Sequence, residues 1–188
     1  MTDWNNKEEV LEAVKDFGRH LDKASKEVQA DKDVVMAAVK NRWDALEYAS
    51  KKLQGDKDVV MAAVKDAGDA LEYASKKLQG DKEVVMAAVK DTGYALEYAS
   101  KKLRGKKEVV MAAVASGGGL KYASEEFRAD KEVVMAAVES DNLAYDFLQL
   151  ISKDLRADKD VVMAAVKDTG YALEYASKKL QGDKEVVM

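Results

Sequence analysis

Three places in this sequence carry residue types that could do chemistry, and the first is its only histidine, His20. Asp16 lies four residues before it and Asp22 two residues after it. An imidazole beside carboxylates could bind a metal ion, but metal sites and catalytic sites need more ligands and partners than this stretch supplies. We therefore predict a surface or end-capping role for His20.

The second place is the run Ser116-Gly117-Gly118-Gly119, which precedes Leu120-Lys121. Glycine-rich loops can surround phosphate groups with backbone N–H groups. A phosphate-binding P-loop, however, follows a buried strand and ends in Gly-Lys-Ser or Gly-Lys-Thr, and neither feature is present here. The run is better explained as a shortened turn that needs a flexible backbone.

The third place is a basic cluster of five cationic residues within seven positions: Lys101, Lys102, Arg104, Lys106 and Lys107. Paired lysines recur elsewhere, at 51–52, 76–77 and 178–179. A stripe of such pairs could follow a phosphate backbone, so a surface that binds nucleic acid or another anionic surface is one alternative. Against it, a glutamate precedes each of these pairs by one helical turn, and the chain has a net charge of −4.

Tyrosines also recur, and we expect most of them to pack between repeats with the hydroxyl in water. This column comprises Tyr48, Tyr73, Tyr98, Tyr122 and Tyr175. A second position, just after a recurring glycine, changes from unit to unit and holds Asp69, Tyr94 and Tyr171 among others. Since a constant framework does not constrain these variable residues, we predict that they contact a partner.

Composition excludes several classes of protein. The chain lacks cysteine, so it has no disulfides and no thiolate metal sites. Its longest apolar run is the seven residues 109–115, far below the roughly 20 that span a bilayer. The first residues contain neither an apolar core nor a basic leader, so we expect a cytoplasmic protein. Near-identical units offer no unique catalytic constellation, and we expect no enzyme activity and no cofactor.

An internal repeat organises all of these residues. Residues 81–103 and 158–180 differ at one position, Glu83 against Asp160, and methionines recur about every 25 residues. Such a period is typical of stacked supersecondary units. We assign a single array, 1–188, with an N-terminal capping repeat at 6–30 and six further repeats at 31–55, 56–80, 81–105, 106–129, 130–157 and 158–182, followed by the start of an eighth at 183–188.

Each repeat is predicted to contain two short helices. In 31–40, Asp31 is a natural N-cap, and the apolar residues cover one face of a helix. The glycine that follows in most repeats, such as Gly18, is expected to have a left-handed backbone and to end this helix. The second helix, 45–54, places Ala45, Leu46, Ala49 and Leu53 on one face. The alternative for this second segment is a 3₁₀ helix or an irregular turn.

Stacking explains why the chain repeats itself. One unit has too few large apolar side chains to offset the conformational entropy that it loses on folding. A neighbouring copy supplies the missing burial. Polar Glu9, Glu12 and Lys23 replace apolar or aromatic residues of the other repeats in 6–30, as an end cap requires. The chain stops inside a repeat, at Val187-Met188, and we expect it to be a fragment of a longer protein.

The recurring pattern Asp-Lys-Glu-Val-Val-Met-Ala-Ala-Val, then Gly, then Ala-Leu-Glu-Tyr-Ala-Ser, resembles the tandem repeats of the family catalogued as domain of unknown function 4116. The resemblance covers nearly the whole chain, 6–188, although Trp43 and Gly117–Gly119 depart from it. It implies a helical repeat array with no established activity, and it carries over no functional residues.

We predict an all-α protein, a right-handed or gently curved α-solenoid of tandem helix-pair repeats. Its expected role is a passive scaffold for protein–protein interaction, with a protein or peptide on a concave face that one helix of each pair lines. One alternative is an electrostatic platform for nucleic acid or anionic surfaces. The other is a spacer or stalk within a larger protein.

Overall fold

The computed structural model describes residues 2–140, 147–168 and 170–187, and within these ranges the chain is all-α, without a β-strand. Seven longer helices lie one to a repeat, and each begins with a lysine. They are α1 (Lys7–Asp16), α2 (Lys32–Asn41), α3 (Lys57–Asp66), α4 (Lys82–Asp91), α5 (Lys107–Ala115), α6 (Lys131–Glu139) and α7 (Lys159–Asp168). None of the helices in the described ranges has the length and apolar character needed to cross a bilayer. The predicted all-α repeat solenoid is confirmed.

Two compact units make up the chain. The first comprises Met1–Asp91 with Tyr98–Ser100, and in it α1 packs on α2, α2 on α3, and α3 on α4. The second comprises Thr92–Glu97 with Lys101–Met188. There α5 packs on α6, α6 on α7, and α7 on the short helix Lys184–Val187. Successive repeats therefore stack in sequence order within each unit.

The same residues of each repeat form the core. In α2, Val34, Val35, Ala38 and Val39 are fully buried, as are their equivalents in α3 and α4. The next segment contributes a fully buried Leu at position 46, 71 or 96. Because the apolar face is shared between a repeat and its neighbours, the burial that a lone unit lacks comes from stacking.

Aspartates begin most of these helices, as predicted for Asp31. The Asp31 carboxylate accepts hydrogen bonds from the N–H groups of Asp33 and Val34, at 3.0 and 3.2 Å. Asp56 and Asp130 cap α3 and α6 in the same way. Helix α5 is different, because Lys106 occupies its N-cap position and forms no side-chain cap.

Replacing Lys106 should therefore stabilise the chain. An aspartate there would accept hydrogen bonds from N–H groups of the first turn, as Asp56 does in α3, and would complement the helix dipole, so we expect Lys106→Asp to gain about 1 kcal/mol in unfolding free energy. Urea denaturation followed by circular dichroism measures this. Lys106→Ala, which removes the charge without adding a cap, should gain less; equal gains in the two variants would contradict the capping explanation.

The second segment of each repeat differs from the preferred prediction and matches the alternative. Residues 45–54 do not form an α-helix: a 3₁₀ helix, Trp43–Tyr48, ends at Ala49, whose backbone is extended, and a 3₁₀ turn follows at Leu53–Gly55. The other 3₁₀ helices are Gly18–Lys23, Val28–Ala30, Gly68–Tyr73, Leu78–Gly80, Gly93–Tyr98, Gly119–Tyr122, Leu155–Ala157 and Gly170–Tyr175. Single-turn α-helices lie at Lys101–Arg104, Glu125–Arg128, Phe147–Leu150 and Lys178–Gln181.

Contacts with the neighbouring repeat explain this break. The Ser50 N–H group donates to the Gln29 carbonyl of the preceding repeat at 2.9 Å instead of to its own helix. The buried Gln54 side chain then donates to the carbonyls of Leu46 and Glu47, each at 3.0 Å. Every polar backbone group must be paired when it is buried. Here a neighbouring repeat and a glutamine side chain pair groups that an α-helix would have paired internally.

The recurring glycine was predicted to have a left-handed backbone, and this prediction is wrong for Gly18, Gly68 and Gly93. Left-handed backbone occurs at Gly117 and Gly118, whereas Gly18, Gly68 and Gly93 each begin a 3₁₀ helix. Gly18 and Gly93 need glycine for space: a Cβ at Gly18, for example, would overlap the Ala38 carbonyl oxygen of the next repeat. Trp43, which stands at the equivalent position, begins a 3₁₀ helix and stacks on Tyr73 with ring centroids 6.4 Å apart. Asn142, which stands at the equivalent position of repeat 130–157, lies outside the described residues.

Candidate functional site

In six repeats of the described chain, one lysine reaches across to the next repeat. We call these the ladder lysines: Lys7, Lys32, Lys57, Lys107, Lys131 and Lys159. Each pairs with the N-cap aspartate of the following helix and with an acidic residue two positions later. Lys57 Nζ, for example, lies 3.0 Å from Asp81 Oδ2 and 2.8 Å from Glu83 Oε2. The lysine and the cap aspartate are partly shielded from solvent, whereas the outer acid is exposed.

These ion pairs shift the pKa values of both partners. The hydrogen bond from Lys57 is the largest influence on Asp81 and lowers its pKa, although burial acts in the opposite direction. The pKa values of Asp56 and Asp130 are lowered for the same reason. Hydrogen bonds to Glu83 and Asp81 raise the pKa of Lys57. The charged forms of both partners are therefore favoured in the folded chain.

Acid should weaken this stacking. An unfolded aspartate has a pKa of about 3.9 and the folded one a lower value, so the contribution is complete above about pH 4 and is lost as pH falls through the lower value. We expect the urea midpoint to drop as the pH falls from about 4 to about 2, and to drop less in Lys57→Met, which has already lost the pair. Lys65→Met, on the outer face of α3, should keep the wild-type pH dependence; a wild-type slope in Lys57→Met would contradict the assignment.

A second contact joins the other ends of the helices. Asn41 Oδ1 accepts from the Gly18 N–H group at 2.7 Å, and its Nδ2 donates to the Lys15 carbonyl at 2.8 Å. Asp91 Oδ2 accepts from the Gly68 N–H group at 2.7 Å in the same way. The last residue of a helix thus binds the end of the helix before it.

In each unit, the residues that directly follow the long helices form a surface that we call the turn edge of that unit. In the first unit it contains Phe17, Arg19, Arg42, Trp43, Asp44 and Asp69, and in the second unit Tyr94 and Tyr171. The Arg42 guanidinium lies 5.6 Å from the centre of the Phe17 ring and donates two hydrogen bonds to the buried Asp44 carboxylate, at 2.8 and 3.0 Å. Aromatic rings and guanidinium groups are therefore close neighbours on this surface.

The tyrosine column packs against the turn edge. Arg19 Nη2 donates to the Tyr48 hydroxyl at 2.8 Å, and Trp43 stacks on Tyr73. Tyr94 meets the Tyr122 ring edge-on, with centroids 6.4 Å apart. Each of these pairs joins two successive repeats. Tyr48, Tyr73 and Tyr122 therefore act in packing rather than as an open row of binding aromatics.

The three variable residues predicted to contact a partner are all exposed. Asp69 lies on the surface of the first unit. In the second unit, Tyr94 is 53% exposed and Tyr171 is 78% exposed. Asp44, at the equivalent position in repeat 31–55, is only 8% exposed because Arg42 covers it. The turn edge is thus mostly, but not uniformly, open to a partner.

The basic cluster is less uniform than the sequence indicates. Lys101, Lys102 and Lys106 are exposed and Arg104 is half-buried. Lys107 is a ladder lysine, held 2.9 Å from Asp130 Oδ2 and 2.6 Å from Glu132 Oε2. One of the five charges is therefore already balanced by two carboxylates. The predicted Glu–Lys pairs within a second helix are also absent at Lys51, which donates to Gln54 Oε1 at 2.9 Å instead.

His20 lies on an open groove of about 680 Å³ at the end of the first unit. Its ring packs edge-on against Trp4 and Phe17, and Nδ1 is 3.3 Å from the Ala13 carbonyl oxygen. Glu9 and Glu12 line the groove as well. Across the described ranges, no group of three or more acidic or histidine side chains is arranged to hold a metal ion.

The glycine run forms a turn between α5 and the 3₁₀ helix Gly119–Tyr122. Gly117 and Gly118 have φ values of 81° and 80°, which favour glycine. A Cβ at Gly118 would also lie 2.5 Å from Tyr94 Cζ. The tyrosine of one repeat therefore sits over a glycine of the next, and both backbone and space require the small residue.

Sequence reasoning missed the ladder lysines and the buried glutamines. Gln29, Gln54 and Gln79 are about 5% exposed, although polar side chains such as these are expected at the surface. The signal for the lysines was present, because an acidic residue stands on each side of Lys32 and Lys57. Consecutive residues on a helix do not face one another, so these charges needed partners elsewhere.

The comparisons with known proteins agree with this architecture. The family model described as Domain of unknown function (DUF4116) matches residues 6–54, 56–104, 106–156, 145–181 and 158–188. The first two matches each span two of the predicted repeats. No curated protein matches the chain, and no solved structure matches it. The chain belongs to the family of tandem repeats described as Domain of unknown function (DUF4116).

Proposed function

We propose that this chain is a non-catalytic scaffold that binds a protein or peptide through the turn edge. The observation that supports this is the exposure of two large aromatic side chains, Tyr94 and Tyr171, beside a core of almost fully buried valines, alanines and leucines. Aromatic residues and arginine are enriched in protein interfaces and dominate their binding energy. The turn edge of the first unit contains both, in Phe17, Trp43, Arg19 and Arg42.

The contrast between constant and variable positions supports the same surface. Val84, Val85 and Ala88 in α4 have identical buried counterparts in α7, because stacking fixes those positions. The residue after the recurring glycine is instead Arg19, Asp69 or Tyr94. Positions that stacking leaves unconstrained can change to suit a partner without loss of the fold.

A catalytic role has less support. Catalysis needs a nucleophile, a base and an orienting group at one place. The acidic side chains at the starts of the long helices serve instead as helix caps and as partners of the ladder lysines. We therefore propose that the array acts by presenting surface residues rather than by chemistry.

Peptide selection tests the proposal. Random peptides displayed on phage are selected against the immobilised chain, and the affinity of a synthetic copy of the selected peptide is then measured for each variant. We expect Tyr171→Ala to weaken binding about tenfold, the cost of losing one aromatic contact of 1–2 kcal/mol. Because Tyr171 is 78% exposed, this variant should keep the wild-type circular dichroism spectrum.

The control variant carries Lys101→Gln and Lys102→Gln, which alter the basic cluster and leave the turn edge intact. We expect it to bind the same peptide as the wild type does, with little dependence on salt. Affinity for a DNA duplex that falls steeply with salt and disappears in this control would favour the electrostatic platform instead. No selectable peptide together with no DNA binding would favour the spacer alternative.

A further inference from the structure

We infer that the ladder lysines make the stack directional: each lysine fixes the start of the helix in the repeat that follows it, not the start of its own helix. This inference does not depend on the proposed function. It rests on the two roles that one carboxylate plays. Asp56 Oδ1 accepts from the N–H groups of Asp58 and Val59, at 3.1 and 3.2 Å, while Oδ2 accepts from Lys32 at 2.8 Å.

Lys32 thereby holds the cap of α3 in place. Its ammonium group also lies 2.9 Å from Asp58 Oδ2, so it contacts the cap and the second residue of the same first turn. Without this charge, two carboxylates would face each other and the Asp56 side chain would be free to rotate away from the N–H groups. A cap contributes only when its oxygen stays in position.

The same arrangement occurs in the second unit, so it is not a coincidence of one junction. Asp130 Oδ1 accepts from the N–H groups of Glu132 and Val133, at 2.9 and 3.3 Å. Its other oxygen accepts from Lys107 of the preceding repeat at 2.9 Å. In both units the lysine comes from the earlier repeat and the cap belongs to the later one.

At the opposite ends of the helices, a different contact joins a helix to the repeat before it. Asn41, the last residue of α2, accepts from the Gly18 N–H group and donates to the Lys15 carbonyl of the preceding repeat. A change at the start of a helix therefore acts on the next repeat, and a change at its end acts on the previous repeat. Loss of charge on one ladder lysine should loosen only its C-terminal neighbour.

Amide hydrogen exchange in the full chain, resolved by NMR, tests the direction. In Lys32→Met we expect the amides of Asp58 and Val59 to exchange about two- to fivefold faster, in line with the modest strength of partly exposed ion pairs. The amides of Asp33 and Val34, in the first turn of α2 itself, should not accelerate, since removing a cation there favours the helix dipole. Lys32→Arg keeps the charge and should leave Asp58 and Val59 near their wild-type rates.

Two further variants complete the test. Lys40→Met, at the far end of α2, should leave the amides of Asp58 and Val59 unchanged. Asn41→Ala should accelerate the Gly18 amide and spare Asp58 and Val59. The inference is overturned if Lys32→Met accelerates the first turns of α2 and α3 equally, or if it accelerates neither of them.

Discussion

Gly93→Ala is expected to destabilise the chain by about 3 kcal/mol, at the upper end of what overpacking costs. An added Cβ would overlap the carbonyl oxygens of Ala113 and Gly117, which belong to the following repeat. Both obstacles are backbone atoms, so no side-chain rotation can relieve the overlap. Urea denaturation followed by far-UV circular dichroism gives the unfolding free energies of the variant and the wild type.

Gly170→Ala is the matched control, because Gly170 begins the equivalent 3₁₀ helix but a Cβ there meets nothing within 4 Å. We expect this variant to be slightly more stable than the wild type, by about 0.5 kcal/mol, because alanine reduces the entropy of the unfolded chain. Close contact between repeats therefore predicts stability changes of opposite sign at these two equivalent positions. Equal destabilisation of both variants would show that the backbone conformation, rather than space, requires glycine.

Leu71→Ala is expected to cost between about 2 and 5 kcal/mol, as other deletions of fully buried leucines do. Leu71 lies in the 3₁₀ helix Gly68–Tyr73, is completely buried, and lies at a junction where that helix packs on α3 and α4. A cavity at this place removes contacts within the repeat and with its neighbour together. The free energy of unfolding in urea again measures the effect.

Truncation of a large side chain at an exposed position is the control for Leu71→Ala, because it should change the free energy of unfolding far less. Tyr171→Ala removes a larger side chain, but one that is 78% exposed, and should change the stability by less than about 0.5 kcal/mol. A similar small loss in Leu71→Ala would mean that the 3₁₀ segment contributes little to the core. In that case the long helices alone would hold the repeats together.

Much of the fold was predictable because the repeat shows which residues the core needs. Asp31 and the valines of α2 indicated a capped amphipathic helix, and the structure contains it. The second segment was not decided by its own residues, since Ala45, Leu46, Ala49 and Leu53 are buried in either conformation. What decides it is the Ser50 N–H group, which binds the Gln29 carbonyl of another repeat.

The candidate surface was only partly predictable. Tyr94, Tyr171 and Asp69 were found because they vary within a constant framework, and all three are exposed. The pairing of Arg42 with Asp44 and the burial of Asp44 could not be foreseen, because a single sequence does not show which charges a turn brings together. The same holds for Lys107, which appeared to belong to the basic cluster and pairs with Asp130 and Glu132.

Circular dichroism of the isolated peptide 56–80 tests the central claim, that each repeat depends on its neighbours for its core. The peptide contains all of α3 and its 3₁₀ helix, but none of the residues that cover them from repeats 31–55 and 81–105. We predict a largely disordered spectrum without a cooperative thermal transition, because a lone short helix is marginal in water. A monomeric peptide that unfolds cooperatively from a helical state would contradict the claim.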